Sequence, residues 1–384
     1  MNGLFDDFRS GVASLHPTRF PYSKFALAMS LGLVAGLLFQ RLNLPLPFML
    51  GAMIACTIAA LFRLPVAAPS VIRPPMSAII GVLLGSGFSP AVIAQLPQWW
   101  PAILGLVAFM LACGFTVVLY FRHVGGFDPT TAFFSGMPGG LVEMIELGEE
   151  RGGDTRVIAL VHAARLLFIV MTIPFVIQWL EGVSLNRAAG SVSVFDAPLV
   201  QEFWLVGCGL SGVALGYLLK LPAKTLLGPM LVSAVVHLAG LSDFKPAFEI
   251  VNAAQLVLGV VIGCRFAGTA TRMVLRILAL SVGSTLILVF WTGLFAFIVS
   301  QLAGYRMTTL ILAYSPGGLA EMSLIALAIH AEVAFVASMH IIRIFLVMVS
   351  AAGIFTLLRL GAEQVQSTSA AKTSEQRTRQ SAAE

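Results

Sequence analysis

The chain has 384 residues, of which 58% are hydrophobic and only 11% are Asp, Glu, Lys or Arg, against roughly 25% charged in an average soluble domain. A water-soluble fold of this size could not cover its surface with so few charges, so that class is excluded. The net charge of +5 does not point to nucleic acid, because the cations sit mainly in loops between apolar stretches, where they act as topology signals.

Residues 1–24 are polar and mixed (Asp6, Asp7, Arg9, Arg19, Lys24). They lack the positive-then-apolar design of a cleaved signal peptide and are expected to stay in the cytoplasm. Apolar segments then run over 25–39, 46–62, 76–96, 99–121, 130–147 and 157–180. Most approach the roughly 20 residues that a helix needs to cross a hydrocarbon core about 30 Å thick. After a linker at 187–198, a second set follows at 199–219, 225–241, 250–266, 277–302, 307–329 and 333–358. The composition predicts a first membrane repeat over 25–186, a second over 199–360, and a disordered cytoplasmic tail over 361–384, rich in Ser, Thr, Ala and Gln. Cys56, Cys113, Cys208 and Cys264 fall in or beside apolar stretches without CxxC spacing, which reads as packing rather than disulfide or metal chemistry. The Trp99-Trp100 pair reads as an interfacial anchor.

The two sets share a register, the mark of a duplicated unit. A shift of 178 carries Thr130-Thr131 onto Thr308-Thr309, Pro138-Gly139-Gly140-Leu141 onto Pro316-Gly317-Gly318-Leu319, Glu143-Met144 onto Glu321-Met322, and His162 and Arg165 onto His340 and Arg343. Shifts of 177 to 178 carry Pro45, Gly51 and Met53 onto Pro222, Gly228 and Met230, and Gly81 and Gly85 onto Gly259 and Gly263. The positive-inside rule tests the orientation. If the fifth segment of each half dips in and returns, five spans per half remain and the second half is inverted. Only Arg41, Arg187, Lys245 and Arg306 of the loop cations then lie outside. If all six segments span, the repeats are parallel and the bias weakens. The predicted fold is therefore an all-α polytopic membrane protein of two inverted repeats. Each has about five transmembrane helices plus one broken or re-entrant segment, and both termini are cytoplasmic. An irregular third segment around Gly81-Val-Leu-Leu-Gly85 would give the same inversion.

Each fifth segment is interrupted by Pro-Gly-Gly and carries a carboxylate. Proline removes a backbone donor and the glycines lower the cost of unwinding. Broken backbone at membrane depth needs protein or a watery cavity to satisfy it, so two matching breaks point to a site. Arg165 lies nine residues beyond Arg156, roughly 13 Å deep in a helix starting at that loop, and Arg343 is similarly placed beyond Glu332. An arginine there costs several kcal/mol, with estimates from about 3 to above 10, unless paired or hydrated. His162 and His340 each lie three residues before their arginine, on the same helix face.

Two readings stay open. In one, Arg165 and Arg343 with the amides around Gly139, Gly140, Gly317 and Gly318 bind an anionic or polar solute, while His162, His340, Glu143 and Glu321 modulate protons. In the other, Arg165 pairs with Glu143 and Arg343 with Glu321 as buried ion pairs that lock the breaks. Glu146, Glu149, Glu150, Arg151 and Asp154 have no matching charges in the second half and read as a solvated loop. The six histidines show neither ligand-pair spacing nor a carboxylate cluster, so no metal, cofactor or catalytic residue is assigned. The partners expected are the lipid bilayer, a small solute and protons. No nucleic acid is expected, and self-association is left open.

The doubled element Pro-Gly-Gly-Leu-x-Glu-Met followed by His-x-x-Arg (Pro138 to Arg165, Pro316 to Arg343) resembles the membrane AbrB duplication family, over about 25–358. That family is distinct from the soluble DNA-binding regulator of the same name. The resemblance implies a multi-pass protein of the bacterial inner (plasma) membrane. Its members carry two labels, regulator of gene expression and ammonia monooxygenase. The first finds no basic helix-turn-helix here, so any effect on transcription would be indirect, and the second finds no metal-ligand cluster. The leading expectation is a secondary transporter with a midplane site between two broken helices. The alternatives are a membrane-embedded regulator and, behind it, an oxidase.

Overall fold

The computed structural model describes residues 20–182, 193–196 and 198–357, with Ala13 and His16. The predicted linker falls largely, and the tail wholly, outside the described residues. Prolines and short polar caps set where the helices begin. α1 (Tyr22–Arg41) follows Pro21. α2 (Pro47–Leu61) starts on a proline, where the missing N–H costs nothing. α3 (Arg73–Gly85) and the short α4 (Pro90–Gln95) follow, then α5 (Trp100–His123). α6 (Pro129–Gly136) is capped by the Asp128 carboxylate, which accepts from the Thr131 amide at 2.9 Å. α7 (Leu141–Glu150) comes next. Asp154 accepts from the Arg156 and Val157 amides, each at 3.0 Å, and so caps α8 (Thr155–Glu181). The second half runs α9 (Leu199–Leu218), α10 (Lys224–Leu238), α11 (Phe248–Gly263), α12 (Thr271–Ala303), α13 (Met307–Tyr314), α14 (Leu319–Ala328) and α15 (Val333–Leu357).

Among the described residues, six helices are long and apolar enough to cross a bilayer: α1, α5, α8, α11 with its extension to Phe266, α12 and α15. A bent pair, Ser70–Gly85 and Pro90–Gln98 with 74° between its arms, makes a seventh candidate. The protein is an all-α, multi-pass membrane protein. The bend falls between Gly85 and Pro90, whereas Gly81-Val-Leu-Leu-Gly85, where an irregularity was expected, is continuous helix.

Elements repeat at the offset read from the sequence. α6 and α13 have eight residues each, α7 and α14 ten, and each pair starts 178 apart. Left-handed backbone recurs at Asn43, Leu46 and Arg63 in the first half and at Lys220, Ala223 and Gly240 in the second. Leu46 (φ 42°) and Ala223 (φ 45°) both lead into the 15-residue helices α2 and α10. A left-handed leucine or alanine is strained, so surrounding structure must hold both of these turns in place.

The halves interlock. α3 packs on α10 and α2 on α11, and the contacts exchange under the same offset. Gly81 lies against the Leu226 carbonyl and Gly259 against that of Met49; Gly85 meets Met230 and Ser233, and Gly263 meets Met53 and Cys56. Missing side chains let these backbones touch. α12 closes on α5 and α8.

Two expectations are corrected. Trp99 is buried and stacks edge-on against Phe335, 5.2 Å between centroids, so only the exposed Trp100 of that pair can meet the interface. Glu146, Glu149 and Glu150 belong to α7 rather than a loop, with their carboxylates on its exposed side. The helix carries on because nothing from Leu141 to Glu150 breaks it until Arg151 and Gly152. All four cysteines are buried and unbridged.

Candidate functional site

Both Pro-Gly-Gly sequences interrupt helix, and the interruption begins one residue before the proline. Met137 and Ser315 take extended ψ values of 133° and 127°, as the residue before a proline must. Gly140 and Gly318, with ψ 146° each, then start α7 and α14. The unwound carbonyls have no helical donor. The arginine one helix later supplies it: Arg165 Nη1 donates to Met137 O and Nη2 to Gly139 O, both at 3.0 Å. Arg343 repeats this 178 residues on, Nη1 to Ser315 O at 2.5 Å and Nη2 to Gly317 O at 3.0 Å. The planar guanidinium spans two carbonyls that a point-charge ammonium could not.

The two breaks share one centre. Gly139 lies against Val347 on α15 and Gly317 against Ile169 on α8, so each break packs on the arginine helix of the other half. Cys113, buried on α5, is within electrostatic reach of both guanidiniums, and Arg165 within reach of Arg343. Both arginines are about 95% buried, at 6% and 5% exposure.

The expected carboxylate pairing is absent. Among the described residues neither Arg165 nor Arg343 has an ion-pair partner, whereas Arg306 pairs with Glu181. Glu143 and Glu321 instead curl over Gly140 and Gly318 at the start of their own helices, where a carboxylate meets the positive helix end. The broken carbonyls outcompete the carboxylates because they cannot be satisfied otherwise. The halves differ here: Glu321 and nearly all of α14 are buried, whereas Glu143 is half-buried on the outward α7.

The histidines also diverge. His162 Nε2–H donates to Phe134 O at 2.8 Å, tying α8 to α6, whereas His340 Nδ1–H donates to Val336 O at 3.0 Å within its own helix. The Nε atoms of Arg165 and Arg343, the other ring nitrogens of His162 and His340, and the Ser135, Ser315 and Ser323 hydroxyls are buried without a partner. Such groups are uncommon in folded proteins; Gln178, Gln201, Ser281, Thr285 and Thr292, on α8, α9 and α12, share the condition. The ten residues expected at the site thus fall at the two breaks and on α8 and α15. Cys113, Met137 and Ser315 were not anticipated: a lone cysteine in an apolar helix carries no signal, and a backbone acceptor has no side-chain signature. Among the described residues no three His, Cys, Asp or Glu side chains gather as a metal site would require.

Comparison with known proteins agrees with the motif. A protein of Bacillus subtilis (strain 168), "Uncharacterized protein YhjN", is 30% identical over 286 residues, covering 70% of this chain and 74% of its own. "Putative regulator AbrB" of Escherichia coli (strain K12) is 23% identical over 330 residues, 86% of this chain and 95% of its own. Residues 48–359 match the family described as "Transition state regulatory protein AbrB". With most of the chain inside that match, and the doubled break and arginine clasp lying within it, the protein belongs to the AbrB family of membrane proteins.

Proposed function

We propose that the protein is a secondary transporter of the bacterial inner membrane, built from a duplicated and inverted unit with both termini cytoplasmic. It binds a small anionic solute between the two breaks. The observation that carries this reading is the pair of buried guanidiniums at one centre without a carboxylate between them. A buried charge without a counter-charge is costly, and an anion that neutralises it gains what the protein alone does not supply. Discontinuous helices meeting from two halves are the arrangement in which inverted-repeat transporters hold solutes. The matched offsets of helix lengths, left-handed residues and arginine contacts support the duplication, and the loop-cation bias supports the inversion. Glu143 and Glu321, one half-buried and one buried, are the groups through which protons would couple to solute movement.

Two experiments test this. Purified protein in vesicles should carry a radiolabelled carboxylate down an imposed proton gradient, and no flux across a broad panel of small anions refutes transport. Lys220→Cys and Arg272→Cys should react with an impermeant maleimide from the cytoplasmic side alone; reaction from the periplasm makes the halves parallel and refutes the inversion. A second reading, a sensor that binds the same anion without moving it, is favoured by the regulator name of the Escherichia coli relative. It predicts normal flux but altered transcript levels on deletion of the gene.

A further inference from the structure

Away from the arginines, a cleft of about 980 Å³ opens between the start of α5 and the end of α12, at the upper end of the range for ligand pockets. Its two ends differ in chemistry. Along the helices the walls are Leu104, Ala108, Phe295 and Ile298. Leu104 and Ile298 are exposed hydrophobics, as are Trp100 and Leu302 beside them, so the apolar end is continuous with the surface that faces lipid. At the loop end the lining is Gln95, Gln98, Tyr305, Arg306 and Glu332. Tyr305 is fixed there, its hydroxyl donating to Gln98 O at 2.6 Å. The inner end is closed by Gly105 and Val299 against Tyr314, whose ring stacks on Phe109 at 5.9 Å and whose hydroxyl donates to Ala102 O at 2.7 Å.

The charges at the loop end are specific. Arg306 is paired with Glu181 on one guanidinium nitrogen, leaving other N–H donors, and its side chain is 52% exposed. Glu332 is exposed, within electrostatic reach of the Tyr305 phenol, and has no ion-pair partner among the described residues. One cation and one carboxylate at the mouth of an apolar slot complement a head group carrying both signs. A purely anionic head would meet Glu332 as a like charge. We propose that this cleft is a binding site for an amine-bearing zwitterionic phospholipid such as phosphatidylethanolamine. Its phosphate faces Arg306, its ammonium faces Glu332, and an acyl chain lies along Leu104, Ala108, Phe295 and Ile298 as far as Gly105 and Val299.

The test is native mass spectrometry of the purified full-length chain, delipidated and titrated with phosphatidylethanolamine or phosphatidylglycerol of identical acyl chains. The wild type should bind the ethanolamine lipid more tightly. Glu332→Gln should weaken that lipid about threefold, the effect of one partly exposed charge pair, and leave the glycerol lipid unchanged or improved. Ala108→Phe, which fills the slot, should cut binding of both lipids by tenfold or more. Ala108→Leu serves as a milder filler, and folding of each variant is checked by its elution and melting profile. Equal binding of the two lipids in the wild type, with no effect of Glu332→Gln, overturns the head-group assignment. Undiminished binding in folded Ala108→Phe or Ala108→Leu protein overturns the site.

Discussion

Removing the arginines one at a time and together gives the sharpest stability test of the shared centre. Arg343→Met deletes two charge-assisted hydrogen bonds to the Ser315 and Gly317 carbonyls. At about 1.5–3 kcal/mol each, the gross loss is about 3–6 kcal/mol. The same change abolishes the cost of holding a charge at depth, about 3 kcal/mol on the lowest scale. The net single-variant effect is therefore a destabilisation between near zero and about 3 kcal/mol. Arg165→Met, which frees the Met137 and Gly139 carbonyls, should fall in the same range. The pair is more informative than either single change, because the two like charges share one centre. Two unit charges on the order of 10 Å apart repel by about 1.7 kcal/mol at an effective dielectric of 20. Each single variant already relieves the whole repulsion and the double variant relieves it only once, so the double variant should be more destabilised than the sum of the singles by about 1–2 kcal/mol. Unfolding in mixed micelles across a detergent titration reads all four proteins. Additivity within about 0.5 kcal/mol, the behaviour of independent sites, refutes the claim that the guanidiniums feel each other. A double variant less destabilised than the sum refutes it more strongly.

Other expectations follow from particular contacts. Gly263→Val places atoms against the Met53 carbonyl and Cys56 Cβ, at 2.6 and 2.7 Å from an ideal Cβ. Overpacking this seam between the halves should cost about 1–3 kcal/mol or abolish folded yield, and a wild-type melting profile would mean that the helices do not touch there. Tyr314→Phe removes one buried hydroxyl from the Ala102 carbonyl and should lower stability by about 0.5–1.5 kcal/mol, read by the same unfolding assay. Glu181→Gln removes the charge from a pair whose arginine is 52% and whose carboxylate is 13% exposed, and keeps an oxygen that can accept from Thr308, so its effect should be about 1 kcal/mol.

Features written in side chains were legible in the sequence, and those written in backbone were not. The breaks were legible because Pro-Gly-Gly is a physical interruption and occurs twice in one register. The arginines were legible because a charge in an apolar segment is rare. What the arginines hold was not. Arg165 could reach Glu143 or the Met137 and Gly139 carbonyls from the same helix face, and only the backbone conformation decides which group lacks another partner. The left-handed conformations of Leu46 and Ala223 were equally hidden, because neither residue favours that region. Trp99 read as an interfacial residue since its neighbour is one. Its burial against Phe335 depends on where α15 passes, which no local pattern encodes. The difference between outward α7 and buried α14 was foreshadowed by Glu146, Glu149 and Glu150, whose counterparts in the second half are uncharged.

The central claim is that two buried guanidiniums await an anion, and ligand-induced thermal stabilisation tests it most directly. Wild-type protein, Arg165→Met and Arg343→Met should be melted in the presence of a broad panel of small carboxylates and inorganic anions. At least one anion is expected to raise the wild-type melting temperature in a concentration-dependent way, and either substitution should weaken or remove the response. An unchanged response in both folded variants, or no anion that stabilises the wild type, would contradict the claim.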